Sequence, residues 1–91
     1  MAEVIDNKSA NRFEMAVEGL TAFVAYRRNG DGSIALNHAE VPSELEGRGV
    51  GSILVRTTLD AVRAEGLKVV PRCSFVAAFI RRNPAYADMV A

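Results

Sequence analysis

The spacing of apolar residues changes its period once in this chain, at Gly47-Arg48-Gly49-Val50-Gly51, and that change constrains the fold more than any other feature. Ahead of it the pattern is that of strands. In "RFEMAV" Phe13, Met15 and Val17 alternate with Arg12, Glu14 and Ala16, the period of a half-buried strand. "LTAFVAYRR" is apolar on both parities and rich in aromatic and β-branched residues, as a central strand should be. "NGDG" marks a turn, because Asn and Gly tolerate positive φ. "SIALNHAEV" then sets Ile34, Leu36 and His38 on one face and Ala35, Asn37, Ala39 and Val41 on the other. Three antiparallel strands in a meander are expected, with "EVIDN" as an added edge segment.

Beyond the glycines the period is helical. From Arg48, the residues Val50, Ile53, Leu54, Thr57 and Ala61 form a stripe widened by Val55, Leu59 and Val62, with Ser52, Arg56, Asp60 and Arg63 on the wet side. Gly66 stops the helix. "LKVVP" is a short strand, and the helix before it requires it to run parallel to the strand ending at Val41. "SFVAAFIRRN" repeats Phe75, Val76, Phe79 and Ile80 at helical spacing, read as core, and Pro84 ends it. The expected fold is α+β: an antiparallel three-stranded meander, then helix, parallel strand and helix, in one domain spanning residues 1–91. A chain of 91 residues holds one modest core and not two.

Several functions are disfavoured by composition. The net charge is zero, which argues against a general grip on nucleic acid. No apolar run is long enough to span a bilayer, and "MAEVIDNKSA" lacks the basic lead and apolar stretch of an export signal. One cysteine, Cys73, has no internal partner, so a reducing cytoplasm is the expected compartment. One Cys and one His, in no metal spacing, make a metal site improbable. The charge is unevenly spread, however. Up to Gly47 there are eight acidic and four basic residues, and from Arg48 onward three acidic and seven basic. A compact polyanion would favour the second half.

The glycines lie between a strand and the first turn of a long helix. A helix N-terminus leaves amides without internal partners and carries partial positive charge, and glycine lets an anion approach them. The alternative is a tight turn packed against its own sheet. A nucleotide-binding loop of the Gly-Lys-Ser/Thr type is excluded, since no such tripeptide follows. A dinucleotide-binding unit is excluded because the strands ahead of the turn are antiparallel and the chain is too short to complete that fold.

At "EVPSELEGRGVGSILVRTTLDAVRAEG" the chain resembles the acetyl-CoA motif of the GNAT-type N-acetyltransferases, Gln/Arg-x-x-Gly-x-Gly/Ala, with Gly49 and Gly51 at its two small positions. The elements "HAEVP", "GRGVG" and "PRCSFV", in that order, resemble the small single-domain YjdJ-like branch of that superfamily from Phe13 onward. The resemblance implies a shortened GNAT fold and acetyl-CoA as cofactor. It further implies cofactor contacts from Val41, Arg48, Gly49, Val50, Gly51 and Ser52, with pantetheine inserted where two strands splay apart. The motif's first position holds Glu46, whose carboxylate is unfavourable to a diphosphate, so it is expected to point away with Arg48 compensating.

Acetyl transfer to an amine needs a base and a stabiliser for the developing oxyanion. His38 is the sole histidine and lies three residues before Val41; it is the candidate base, and Glu40 a candidate either to orient it or to take the proton through water. The competing reading makes His38 an ordinary strand residue and Glu40 a solvated edge. Cys73, between a strand and a helix N-terminus and beside Arg72, is a candidate acetyl-accepting nucleophile; the alternative is a small buried filler. Tyr86 falls where larger family members hold a tyrosine acid, though a packing aromatic suffices. Arg81 and Arg82 offset a helix C-terminus. The two functional classes are an N-acetyltransferase acting on a small-molecule or peptide amine, and a non-catalytic acyl-CoA-binding or interaction module. Neither calls for nucleic acid or membrane. Because so small a chain has little wall for an acceptor, the acceptor is expected to bind an open groove or one completed by a partner or a second copy.

Overall fold

Leu20–Arg28 (β3) is the longest strand and sits at the centre of the sheet in a computed structural model that describes residues 3–91. Around it lie Val4–Asn7 (β1), Arg12–Val17 (β2), Ser33–Glu40 (β4) and Lys68–Pro71 (β5), in the spatial order β1-β2-β3-β4-β5. The first four strands are antiparallel, and β5 runs parallel to β4. The parallel pair needs a crossover, which Val50–Ala64 (α1) supplies. A second helix, Ser74–Arg82 (α2), leads to a 3₁₀ segment, Pro84–Met89, and Val90 then pairs with Val69 on the outer edge of β5. The α+β order expected from the periods is therefore the observed one. The edge segment is a full strand, β1.

One turn and one bulge set the register that matters. β2 and β3 are joined by Glu18-Gly19, both at positive φ (52° and 78°), as a tight primed turn between two right-twisted strands requires. In β4 the pairing with β3 slips by one residue: Tyr26 faces Leu36 but Ala25 faces His38, so Asn37 is extra. The simple alternation expected for β4 is thereby corrected. Ile34 and Leu36 point to the core, the bulge exchanges the faces, and Ala39 and Val41 take over the core side while His38 turns away from it.

Both helices pack on that one face. Leu54, Val55, Leu59 and Val62 of α1 and Val76, Phe79 and Ile80 of α2 join Phe13, Met15, Val24 and Leu36 in a single apolar cluster. The opposite face carries Arg12, Glu14, Phe23, His38 and Glu40, with Ile5 63% exposed. The buried stripe of α1 differs from the expected one. Thr58, not Thr57, faces the sheet, and Ile53 is exposed. Thr57 instead bonds back to the carbonyls of Ile53 and Leu54, the usual way a threonine hydroxyl is satisfied on a helix surface.

Candidate functional site

After β4 the chain turns through Pro42 and a 3₁₀ turn, Ser43–Leu45, whose Leu45 is buried and anchors the loop to the core. Gly47 and Gly49 then adopt left-handed backbone (φ 79° and 76°). Gly49 is the N-cap of α1, no side chain caps it, and the first turn holds no acidic residue. The first helical bond runs from Ile53 N–H to the Gly49 carbonyl (3.2 Å). The amides of Val50, Gly51 and Ser52 precede that bond and project from the positive end of a helix of 15 residues.

A cleft of ≈ 370 Å³ opens at these amides. Its walls are Ala39 and Val41 from the end of β4, Leu45 to Gly47 and Gly49 from the loop, Val50 to Ser52 from α1, and Phe75 from α2. The cleft lies beside the part of β4 that runs on past the end of β5. Pairing of β4 with β5 ends at Leu36 and Pro71, and the Cys73 N–H closes the ladder on the Leu36 carbonyl (2.9 Å). β4 continues to Glu40 with no partner in β5, and the Asn37 bulge sits at the point of separation. Gly51 matters sterically. A Cβ there would lie 2.9 Å from Phe75 Cζ, so its absence makes room for the ring that forms one wall.

The candidate residues divide in two. Val41, Gly49, Val50, Gly51 and Ser52 line the cleft together. Arg48 does not: both its terminal nitrogens go to Glu18 in the β2–β3 turn, Nη1 at 3.1 Å from Oε1 and Nη2 against Oε2. Glu46, expected to point away with Arg48 compensating, is itself a lining residue. His38 and Glu40 lie on the sheet face without helices, each side chain 60% exposed, with His38 Nε2 3.4 Å from Glu40 Oε1 and the imidazole edge-on to Phe23 (6.1 Å). Cys73 is the N-cap of α2, half-buried and packed against the core. The imidazole and the thiol are thus directed to opposite sides of the sheet. Tyr86 packs at a tilt against Phe79 (ring centroids 5.9 Å apart) and donates to Asp60 (2.8 Å), away from the cleft. Burial, then the bond to Asp60, pushes its phenol above the ordinary range. Among the described residues no group of three or more His, Cys, Asp or Glu could hold a metal ion, and no helix is long and apolar enough to cross a membrane.

Phe75 was expected in the core with Val76, Phe79 and Ile80, yet it is 39% exposed and walls the cleft. A signal was present: Val76, Phe79 and Ile80 already satisfy i, i+3, i+4, and Phe75 falls one residue off that stripe.

Comparison with known proteins agrees with this fold. A family model described as GCN5-related N-acetyl-transferase matches residues 12–89. The chain is 28% identical over 80 residues to Protein NATD1 of Xenopus tropicalis, covering 86% of this chain and 73% of that one. It is 29% identical over 84 residues to Protein NATD1 of Gallus gallus, covering 90% and 76%. The solution structure of a GCN5-like protein from Staphylococcus aureus, described as a candidate N-acetyltransferase, superposes with a TM-score of 0.74 at 26% identity, over 98% of this chain and 87% of the other.

Proposed function

The chain belongs to the GCN5-related N-acetyltransferase family, and from that premise we propose that residues 1–91 act as one acetyl-CoA-binding domain that transfers the acetyl group to an amine. The observation that carries the reading is the cleft beside the stretch of β4 that outruns β5, floored by the uncapped amides of α1. Its ≈ 370 Å³ falls in the range of small-ligand sites, roughly 300–1,000 Å³. Had a side chain capped α1, or had β5 run on beside β4 beyond Leu36, the amides or the open edge of β4 would be covered and closed to a diphosphate and its tail.

In this reading the amides of Val50, Gly51 and Ser52 hold the diphosphate, an arrangement that needs no side-chain charge. Ala39 and Val41 offer an apolar wall and an unpaired strand edge to the pantetheine arm. Acetyl-CoA supplies a thioester-activated acetyl group. His38, just past the bulge and on the open face, takes the proton of the acceptor amine as general base, and Glu40 orients the ring. The open face puts little wall around the imidazole. The acceptor is therefore a small-molecule or peptide amine whose remaining contacts come from its own bulk, a partner or a second copy. The expected compartment is the cytoplasm.

The packing of Cys73 against the core favours direct transfer over an acetyl-cysteine route. The same separation of His38 from Cys73 supports a second reading, a module that binds acyl-CoA without turnover.

Thermal melts with acetyl-CoA, CoA and ATP test the first step. Ligand at 100 times its Kd stabilises by about 2.7 kcal/mol, so a rise in Tm with acetyl-CoA and CoA exceeding that with ATP is expected. No rise at millimolar acetyl-CoA removes both readings. His38→Ala should keep the rise and lose release of CoA thiol in the presence of amine. Thiol release at the wild-type rate would take His38 out of the chemistry.

A further inference from the structure

The cleft that would take a diphosphate has one charged lining residue, and it has the wrong sign: Glu46. The cation built into the same loop, Arg48, is turned outward. Glu18 holds it by two parallel bonds, the geometry in which a guanidinium and a carboxylate satisfy one another most fully. Glu18 reaches it from an unusual backbone. It is the first residue of a two-residue primed turn, at φ 52°, where asparagine or glycine would be relaxed and a longer side chain is strained. The hairpin therefore presents a carboxylate directly to the one arginine of the cofactor loop. The pair is exposed on both sides, with the Arg48 side chain 47% and Glu18 60% accessible, so exchanging one anion for another needs no repacking of the core.

We propose that Glu18 is a counter-ion that withholds Arg48 from the cofactor site, and that a diphosphate-bearing ligand binds by displacing it, with Arg48 passing from the carboxylate to the ligand's phosphates. This deepens the acetyl-CoA reading and rests on it. Glu18 then sets affinity without touching the ligand. It subtracts the strength of one surface ion pair from the binding, and in the unliganded protein it keeps an unpaired arginine from recruiting unrelated phosphates. The hydrogen bonds from Arg48, and then its charge, hold the Glu18 carboxyl below the ordinary carboxylate range, consistent with a pair that stays charged at neutral pH.

Calorimetric titration of acetyl-CoA into wild type, Glu18→Gln, Arg48→Gln and the double variant tests this, with a melt of each to confirm folding. Exposed ion pairs are weak, so Glu18→Gln is expected to tighten acetyl-CoA about two- to fivefold. Arg48→Gln should weaken it, and Glu18→Gln should have no effect once Arg48 is gone. The tightened variant should also show the steeper loss of affinity with salt, since its arginine meets phosphate without a competing carboxylate. If wild type binds and Glu18→Gln binds equally or more weakly, Glu18 is a brace for the loop and the exchange is refuted. If neither wild type nor any variant binds, the acetyl-CoA reading itself fails, and the exchange with it.

Discussion

Gly49 and Gly51 lie two residues apart, the N-cap of α1 and its second residue, and the same substitution should act on them in opposite ways. Gly49 has φ 76° and ψ 7°, and a Cβ there would meet nothing within 4 Å. The cost of Gly49→Ala is therefore conformational alone. The left-handed region costs an L-residue about 1–2 kcal/mol, partly offset by about 0.4–1 kcal/mol from the stiffer unfolded chain. A net loss of about 1 kcal/mol lowers the Tm of a chain this size by roughly 4–8 °C. Gly51 is helical, and there alanine is worth up to about 1 kcal/mol in propensity. Its Cβ would lie 2.9 Å from Cζ and 3.2 Å from Cε2 of Phe75, atoms at the free end of a ring that is 39% exposed. The ring can yield, at about 0.5–1.5 kcal/mol for an off-rotamer side chain, so the two terms nearly cancel. Gly51→Ala should melt within about 3 °C of wild type, a residue of under about 0.5 kcal/mol. With Val41 Cγ2 only 3.6 Å from the new methyl, the displaced ring intrudes on the cleft. Scanning fluorimetry gives the melts, and the shift on adding acetyl-CoA gives binding, which Gly51→Ala should lose. A Gly49→Ala protein that melts like wild type would refute the left-handed cap. A Gly51→Ala protein with an unchanged acetyl-CoA shift would refute Phe75 as a cleft wall.

Two further outcomes follow from single groups. Thr58 is fully buried and its hydroxyl has no hydrogen-bond partner among the described residues. A buried unsatisfied hydroxyl costs about 1–3 kcal/mol, so Thr58→Val should raise stability in urea by about 1 kcal/mol, and a loss of stability would mean that the hydroxyl is satisfied. The carboxyls of Glu14, Glu18 and Asp31 are held below their ordinary values, chiefly by hydrogen bonds from Arg12, Arg48 and Ser33 respectively. Between the lowered folded values and the unfolded ones the unfolded chain binds more protons, so stability rises with pH there. The contribution is complete above about pH 5 and is lost as pH falls through the folded values. Melts taken from pH 6 to pH 3 should show this decline. Asp31→Asn should flatten it, and a slope unchanged in that variant would mean that Asp31 titrates normally in the folded chain.

What the sequence disclosed and what it hid follow from the range of the forces involved. Alternation in Arg12–Val17, the turn at Asn29–Gly32 and the helical period after Gly49 are local, and they place the strands, the crossover and the glycine amides at the mouth of the cleft. The Asn37 bulge is not local. It appears only when β4 is laid against β3, and it reverses which face His38 occupies. Simple alternation therefore assigned His38 to the side of Ile34 and Leu36, whereas pairing with Ala25 puts it beside Phe23 on the face without helices. The partner of Arg48 is hidden for the same reason. Glu18 is 30 residues away, and only the hairpin brings it to the loop. Adjacency in sequence suggested that Arg48 would answer Glu46; the fold gave Arg48 a different carboxylate and left Glu46 in the cleft wall. The sheet thus creates the slot from local rules, while two long-range pairings, Ala25 with His38 and Glu18 with Arg48, decide which charges can reach it. In the proposed reading, an acceptor met on the His38 face and a cofactor held on the helix face would approach the slot from opposite sides of one sheet. That separation would keep the two ligands from competing and make β4, the strand they would share, the place where they meet.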